Sequence, residues 1–213
     1  MLDLSFSCLD MAAEDHAAGP TLLARLRIEE HSGADVRAIA LRCQLRIEPQ
    51  RRRYSSREAD RLLDLFGNRS QWAGTVHPLQ LALVSHLVPA FRGAVETTVP
   101  VPCTYDMEVA AGKYFASLDD GEVPLTFLFS GTVFLAGAAG LRTEPIPWHL
   151  EAGHRLPVEV WRSMIDGFFP NQGWLRLRRE TIDAVRAYAA AEAIVDTDAV
   201  VERLLKEAGW PSR

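Results

Sequence analysis

The sequence predicts an α+β fold: a large, twisted antiparallel β-sheet with C-terminal helices packed on or beside it. Three observations carry this prediction. Runs of apolar/polar alternation recur through residues 1–154. Apolar residues at helical spacing fill residues 155–213. Strands therefore come first and helices last, instead of alternating as they do in a parallel α/β sheet. At 213 residues, 48% hydrophobic and 24% charged, the chain has the make-up of one globular domain spanning 1–213.

The elements follow in order. Leu2, Leu4, Phe6 and Cys8 alternate with Asp3, Ser5 and Ser7, the period of a half-buried strand. Leu22, Ala24, Leu26 and Ile28 alternate with Arg25, Arg27 and Glu29, and Ile39, Leu41, Cys43, Leu45 and Ile47 repeat the pattern. These two runs are expected to pair as an antiparallel hairpin around residues 31–35, with one wet face. Ser55 to Phe66 reads as the one inserted helix, with a Ser55/Glu58 capping box, Ala59, Leu62, Leu63 and Phe66 on one face, and Gly67 as its stop. Leu79 to Val88 is apolar on both parities and fits a central strand or a short buried helix. Val95, Thr97, Val99 and Val101 resume a strand that Pro100 and Pro102 push towards an edge or a bend.

Val101 to Phe134 is expected to form a second hairpin turning at Asp119-Asp120-Gly121, with Met107, Val109 and Ala111 on one face of its first strand. Its return strand, Glu122 to Leu135, is nearly all apolar and suits a strand covered on both sides. Gly137-Ala138-Ala139-Gly140 is a joint, and Ile146, Trp148 and Leu150 alternate once more. Pro157 opens a helix with Val158, Trp161, Ile165 and Phe168 in one stripe, ended at Phe169-Pro170. Glu180 to Ala193 is a second helix, and Asp196 or Thr197 caps a third that stops at Gly209.

The net charge of −5 argues against nucleic acid as the main partner, because phosphate binding wants a basic face. Local basic runs remain, at Arg51, Arg52 and Arg53 and at Arg176, Arg178 and Arg179. The three cysteines, Cys8, Cys43 and Cys103, have no metal-ligand spacing and sit in strand-like runs, as buried hydrophobes in a reducing compartment would. The N-terminus lacks the basic start of a signal peptide. No run reaches the ~18 apolar residues of a membrane span. A cytoplasmic location is expected, and homo-oligomerisation is left open.

No catalytic motif is present. Ser130-Gly131 lies inside a strand run, not on a strand-to-helix elbow, and reads as a strand serine beside a glycine that admits a close neighbour. The six histidines form no HxH, HxxxH or HExxH pattern, so no metal is expected. Asp119 to Glu122 is turn chemistry, because a calcium loop spreads its oxygens over about 12 residues. The glycines form no phosphate loop, and no cofactor is expected. Two features point to a binding surface instead. The late aromatics Trp148, Trp161, Phe168, Phe169 and Trp174 are either core or an exposed apolar groove, and Arg51, Arg52 and Arg53 offer a dock for an acidic partner.

The blocks VPCTYDMEVAAGKYF and DGEVPLTFLFSGTVF, with IEPQRRRY and LFG before them, resemble an uncharacterised, mainly actinobacterial family. That resemblance implies a gene context beside [NiFe]-hydrogenase subunits and maturation factors, and carries no catalytic residue. From Tyr105 to Tyr188 the order of elements is also similar to that of the export chaperone SecB: a long hairpin ending in SGTVFLAG, the helix PVEVWRSMIDGFF, a Phe-Pro break, a short WLRL run and a last helix. The inserted helix at 55–66 and the extra helix after Asp196 depart from that pattern. Together the resemblances imply a non-enzymatic, chaperone-like accessory protein that binds a partner polypeptide, a hydrogenase subunit or precursor. The alternatives are a structural subunit of a larger complex, and a small-molecule binder or enzyme whose site forms only in three dimensions.

Overall fold

The computed structural model describes residues 2–103, 109–137, 140–170, 172, 175 and 177–210. The chain forms two compact units, Met1–Gln172 and Gly173–Arg213. The fold is α+β, and every strand pairing is antiparallel.

In the first unit the strands divide over two sheets instead of forming one. β1 (Leu4–Ala13), β2 (Thr21–Glu30) and β5 (Ala94–Pro102) make a three-stranded sheet in the order β1-β2-β5. β3 (Val36–Ile47), β4 (Leu79–Val88), β6 (Glu122–Gly137), β7 (Gly140–Pro145) and β8 (Glu151–Pro157) make the second. There β3 lies between β4 and β6, and the long β6 pairs with β8 along its first half and β7 along its second. The sheets face each other with one core between them, and the Phe6 ring stacks on Phe129 across it, centroids 4.2 Å apart. β1 runs beside β8 and β4 beside β5. At the second seam His86 Nε2 and Thr97 Oγ1 lie 2.7 Å apart.

The expected β2–β3 hairpin is therefore absent: β2 pairs with β1 and β5, and β3 with β4 and β6. The reason lies in the corner between them. Glu30 is buried at the end of β2, and its carboxylate accepts the Ser32 and Ala34 amides at 3.0 and 2.7 Å and the Ser32 hydroxyl. Burial alone would raise its pKa, but these bonds outweigh burial and hold it below the usual carboxylate range. The pinned corner turns the chain across the core into the other sheet. Leu22, Leu26, Ile28, Ile39, Leu41 and Leu45 all bury their side chains, from opposite sides of one core.

The second expected hairpin is also corrected. Its first arm contains a helix, α4 (Val109–Ala116), so Ala111 is helical; Met107 lies outside the described residues. Ala111, Tyr114, Phe115 and Leu118 are buried at i, i+3, i+4 and i+7, the stripe of a helix and not of a strand. Asp119-Asp120-Gly121 then turns the chain from α4 into β6, with Gly121 at φ 78°. The return strand itself stands as β6. Leu79 to Val88 is a strand, and β5 lies at a sheet edge as its prolines require.

The inserted helix keeps its Ser55/Glu58 capping box and its Gly67 stop but breaks at Leu62. It becomes α1 (Ser56–Arg61) and α2 (Leu63–Phe66), because the break lets Leu62 bury fully while Leu63 stays exposed. α3 (Trp72–Thr75) follows. Residues 146–150, expected to continue a strand, instead connect β7 to β8. Pro157 ends β8 and N-caps α5 (Val158–Phe168), which lies against β1 and β8.

The second unit holds α6 (Arg179–Ala191) and α7 (Thr197–Glu207), which pack on each other. Asp196 supplies the α7 cap through its carboxylate and the Asp198 amide, and Gly209 at φ 73° follows its last turn. Arg203 ties the pair together, reaching Glu192 at 2.7 Å and Glu207 at 3.0 Å.

Candidate partner-binding surface

Among the described residues, those predicted from the sequence do not gather into one site. Trp161 is 7% exposed and stacks on Phe115 at 4.0 Å, so it belongs to the core and cannot meet a partner. Its stripe-mate Phe168 is half-buried against the same core, and Phe169, half-buried, is the C-cap of α5. Trp148 is 90% exposed on the β7–β8 connection. Trp174 lies outside the described residues.

The arginine run is split as well. Arg51 and Arg53 are exposed, but the Arg52 side chain is 7% exposed and structural. Its guanidinium donates to Glu58 at 2.8 Å and to the carbonyls of Asp120 and Glu122 at 2.5 and 3.2 Å, and sits over the Tyr54 ring. Burial would raise the Glu58 pKa, but bonds from Arg52 and from the Asp119 and Ser55 amides bring it down to about 2. Beside this pair the Tyr54 and Tyr114 hydroxyls lie 2.7 Å apart, and burial pushes the Tyr54 pKa up to about 12 and raises that of Tyr114. This cluster fastens α1 to the turn before β6; it is a clamp, not a dock.

A different surface emerges from comparing the outer faces of the two sheets. On the three-stranded sheet the outward positions mix small and polar residues with one charged, paired group across β2 and β5. Arg25 and Arg27 reach Glu96 at 3.9 and 3.6 Å, and Arg27 reaches Glu29 at 3.0 Å. Such a face is satisfied by water and by itself.

The outer face of the five-stranded sheet is built otherwise. Register places its residues in rows: Ala38, Phe134 and Thr143; Leu87, Ala40, Thr132 and Pro145; Ser85, Arg42 and Ser130; Leu83, Gln44, Leu128 and Glu151. Leu83 is 56% exposed and Leu87 68%, while Leu141, in the row beyond Phe134, is 63% exposed. Apolar side chains thus face solvent from both flanks of a sheet whose middle strand carries Ala38 and Ala40. The connection bearing Trp148 borders this face beside Ser130, held by Ile146 N to Gly131 O and Phe129 N to Leu150 O at 3.0 and 3.2 Å. The signal in the sequence was the outward parity of β4 and β6, where Leu83, Leu87 and Phe134 stand in positions that a solvated strand gives to polar residues.

Other chemistry is sparse. Among the described residues no group of three or more His, Cys, Asp or Glu is placed to hold a metal ion. Cys43 and Cys103 are buried and free, and burial pushes both thiols up to about 12. Burial lowers the pKa of His86 and His154. Among the described residues no helix is long and apolar enough to cross a membrane.

Comparison with known proteins adds little chemistry. Nothing among the curated proteins matches the chain. Two solved structures of β-glucosidase 3B from Thermotoga neapolitana, with glycerol and with α-D-glucose, are similar at 12% and 11% identity over 73% and 72% of this chain. Their TM-scores are 0.27 and 0.25, and the match covers 17% of each enzyme chain, so the likeness carries no argument. Sequence family is the firmer result: over residues 1–212 the chain matches, and belongs to, the family of unknown function DUF6084.

Proposed function

We propose that this chain is a non-enzymatic accessory protein that binds a partner polypeptide through the outer face of its five-stranded sheet. The observation that carries this reading is the contrast between the two outer faces. One carries a paired charged group at its centre, and the other leaves leucines in water. Covering those leucines stabilises a complex by roughly 25 cal/mol per Å² before association costs. The resemblance to an actinobacterial family encoded beside [NiFe]-hydrogenase genes supports a hydrogenase subunit or its precursor as the partner. A chaperone-like, cytoplasmic role is part of the same proposal and rests on that resemblance alone, because α4 stands where the SecB-like order has the first arm of a hairpin.

The test is affinity capture with the full chain from its native organism under hydrogenase-inducing conditions. A hydrogenase subunit is expected with the wild type and with the Arg25→Ala/Arg27→Ala control, and is expected to be lost with Leu83→Asp/Leu87→Asp. A subunit retained by the leucine variant sinks the assignment of the face. No subunit with the wild type sinks the hydrogenase partner.

One observation favours the second reading, a structural subunit of a larger complex. Among the described residues β7 pairs only with β6, which leaves its other edge open to strand addition. Under that reading the leucine variant still assembles, and proline substitutions along residues 141–144 do not.

A further inference from the structure

We infer that the apolar sheet face receives an amphipathic helix whose apolar stripe carries one carboxylate, and that Arg42 engages it; this rests on the face being a polypeptide-binding surface. Arg42 is exposed at the centre of the face, on the middle strand, with Ser85 and Ser130 beside it in register. It has no acidic partner among the described residues. Other arginines of the same sheet are occupied: Arg46 by Glu48 at 3.5 Å, and Arg142 by Glu144 at 3.0 Å. A guanidinium left unpaired between two serines, with Ala40, Leu83 and Leu87 in the adjoining rows, penalises any partner that covers it with an apolar group, because the charge would lose water without gaining a counter-charge. A carboxylate removes that penalty through a bidentate, charge-assisted bond.

The shape selects a helix. Ala38, Ala40 and Arg42 run along β3, and the neighbouring strands carry larger side chains, Leu87 on one side and Phe134 on the other. Strands two apart are separated by roughly 9.6 Å, close to the width of a helix. From Ala38 to Arg42 the floor runs about 13 Å, the rise of eight or nine helical residues. The carboxylate therefore sits about two turns from the first apolar anchor. The chain's net charge of −5 gives an acidic partner no general attraction, so recognition rests on this one cation.

The test uses the full chain and three labelled amphipathic helical peptides. They share one leucine stripe and differ at one position within it, as Glu, Gln or Lys. Affinity is read by fluorescence anisotropy, and the binding face by amide shifts in β3, β4 and β6. The Glu peptide is expected to bind about tenfold tighter than the Gln peptide, with Lys weakest, and Arg42→Glu is expected to reverse the order. Arg42 is exposed, and an unchanged Tm for the variant checks that the fold is kept. Equal binding of all three peptides, indifferent to Arg42→Glu, overturns carboxylate recognition and leaves polypeptide binding standing. No shift on the face with any peptide overturns both. Self-association abolished by Leu87→Asp gives the face to a second copy of the chain and overturns the helix.

Discussion

Glu58 is held from three sides, by Arg52 at 2.8 Å, the Asp119 amide at 3.0 Å and the Ser55 amide at 2.9 Å. Its pKa of about 2 lies below the ordinary 4.5, so the folded state favours the ionised form. Stability from this group is complete above pH 4.5 and is lost as pH falls through 2, an effect of about 3 kcal/mol. Glu58→Gln should cost about 2–3 kcal/mol at pH 7 in urea unfolding, and the gap to wild type should narrow from pH 4.5 downwards. A gap constant with pH would mean that the carboxylate's charge is not what counts. Gly131 makes a steric argument of the same size. Its φ is +133°, and an added Cβ would lie 2.0 Å from the Ala40 carbonyl oxygen. Gly131→Ala should destabilise by about 3 kcal/mol or more, whereas Ser130→Ala, exposed next to it, should stay within about 0.5 kcal/mol. Comparable unfolding midpoints for the two would refute this. The close neighbour of Gly131 was legible in the sequence, because a glycine inside an apolar strand has few other uses. The Arg52 clamp was not, since three consecutive arginines look alike until one of them meets Glu58.

At the scale of elements, α4 and α5 show what a local pattern hides. Met107, Val109 and Ala111 read as one face of a strand, yet Ala111, Tyr114, Phe115 and Leu118 bury along a helix. The Phe115 ring then stacks on Trp161 and joins α4 to α5. The capped start of α1 and the stops at Gly67 and Gly209 were legible because cap chemistry is local. The break at Leu62 was not, because it answers to the core beneath. Among the aromatics, closeness along the chain put Trp161 and Trp148 in one list, while burial separates them. Trp161→Ala should cost about 3–5 kcal/mol through loss of the stack and a cavity, and Trp148→Ala should change stability by no more than about 0.5 kcal/mol. Paired thermal or urea melts decide this, and a large loss at Trp148 would contradict its exposure.

For the first unit as a whole, parity within each strand was legible, but which strands pair was not. β2 and β3 are neighbours in sequence with matching alternation, and only the Glu30 corner sends them to different sheets. Long-range partners decide the rest: Thr21 pairs opposite Pro102, and Ile47 opposite Leu125. Each of these closures must form a large loop before it gains burial, so the topology should fold slowly, in milliseconds to seconds. In the five-stranded sheet such closures meet at β6, since β3, β7 and β8 all pair with it. Phe127→Leu in β6 should therefore slow refolding in stopped-flow fluorescence, whereas Leu23→Ala on the outward side of β2 should leave the refolding rate unchanged and act, if at all, on unfolding. If Phe127→Leu acted only on unfolding, β6 would be joining after the barrier. The long-range pairings would then follow the β1–β2 contacts instead of limiting them.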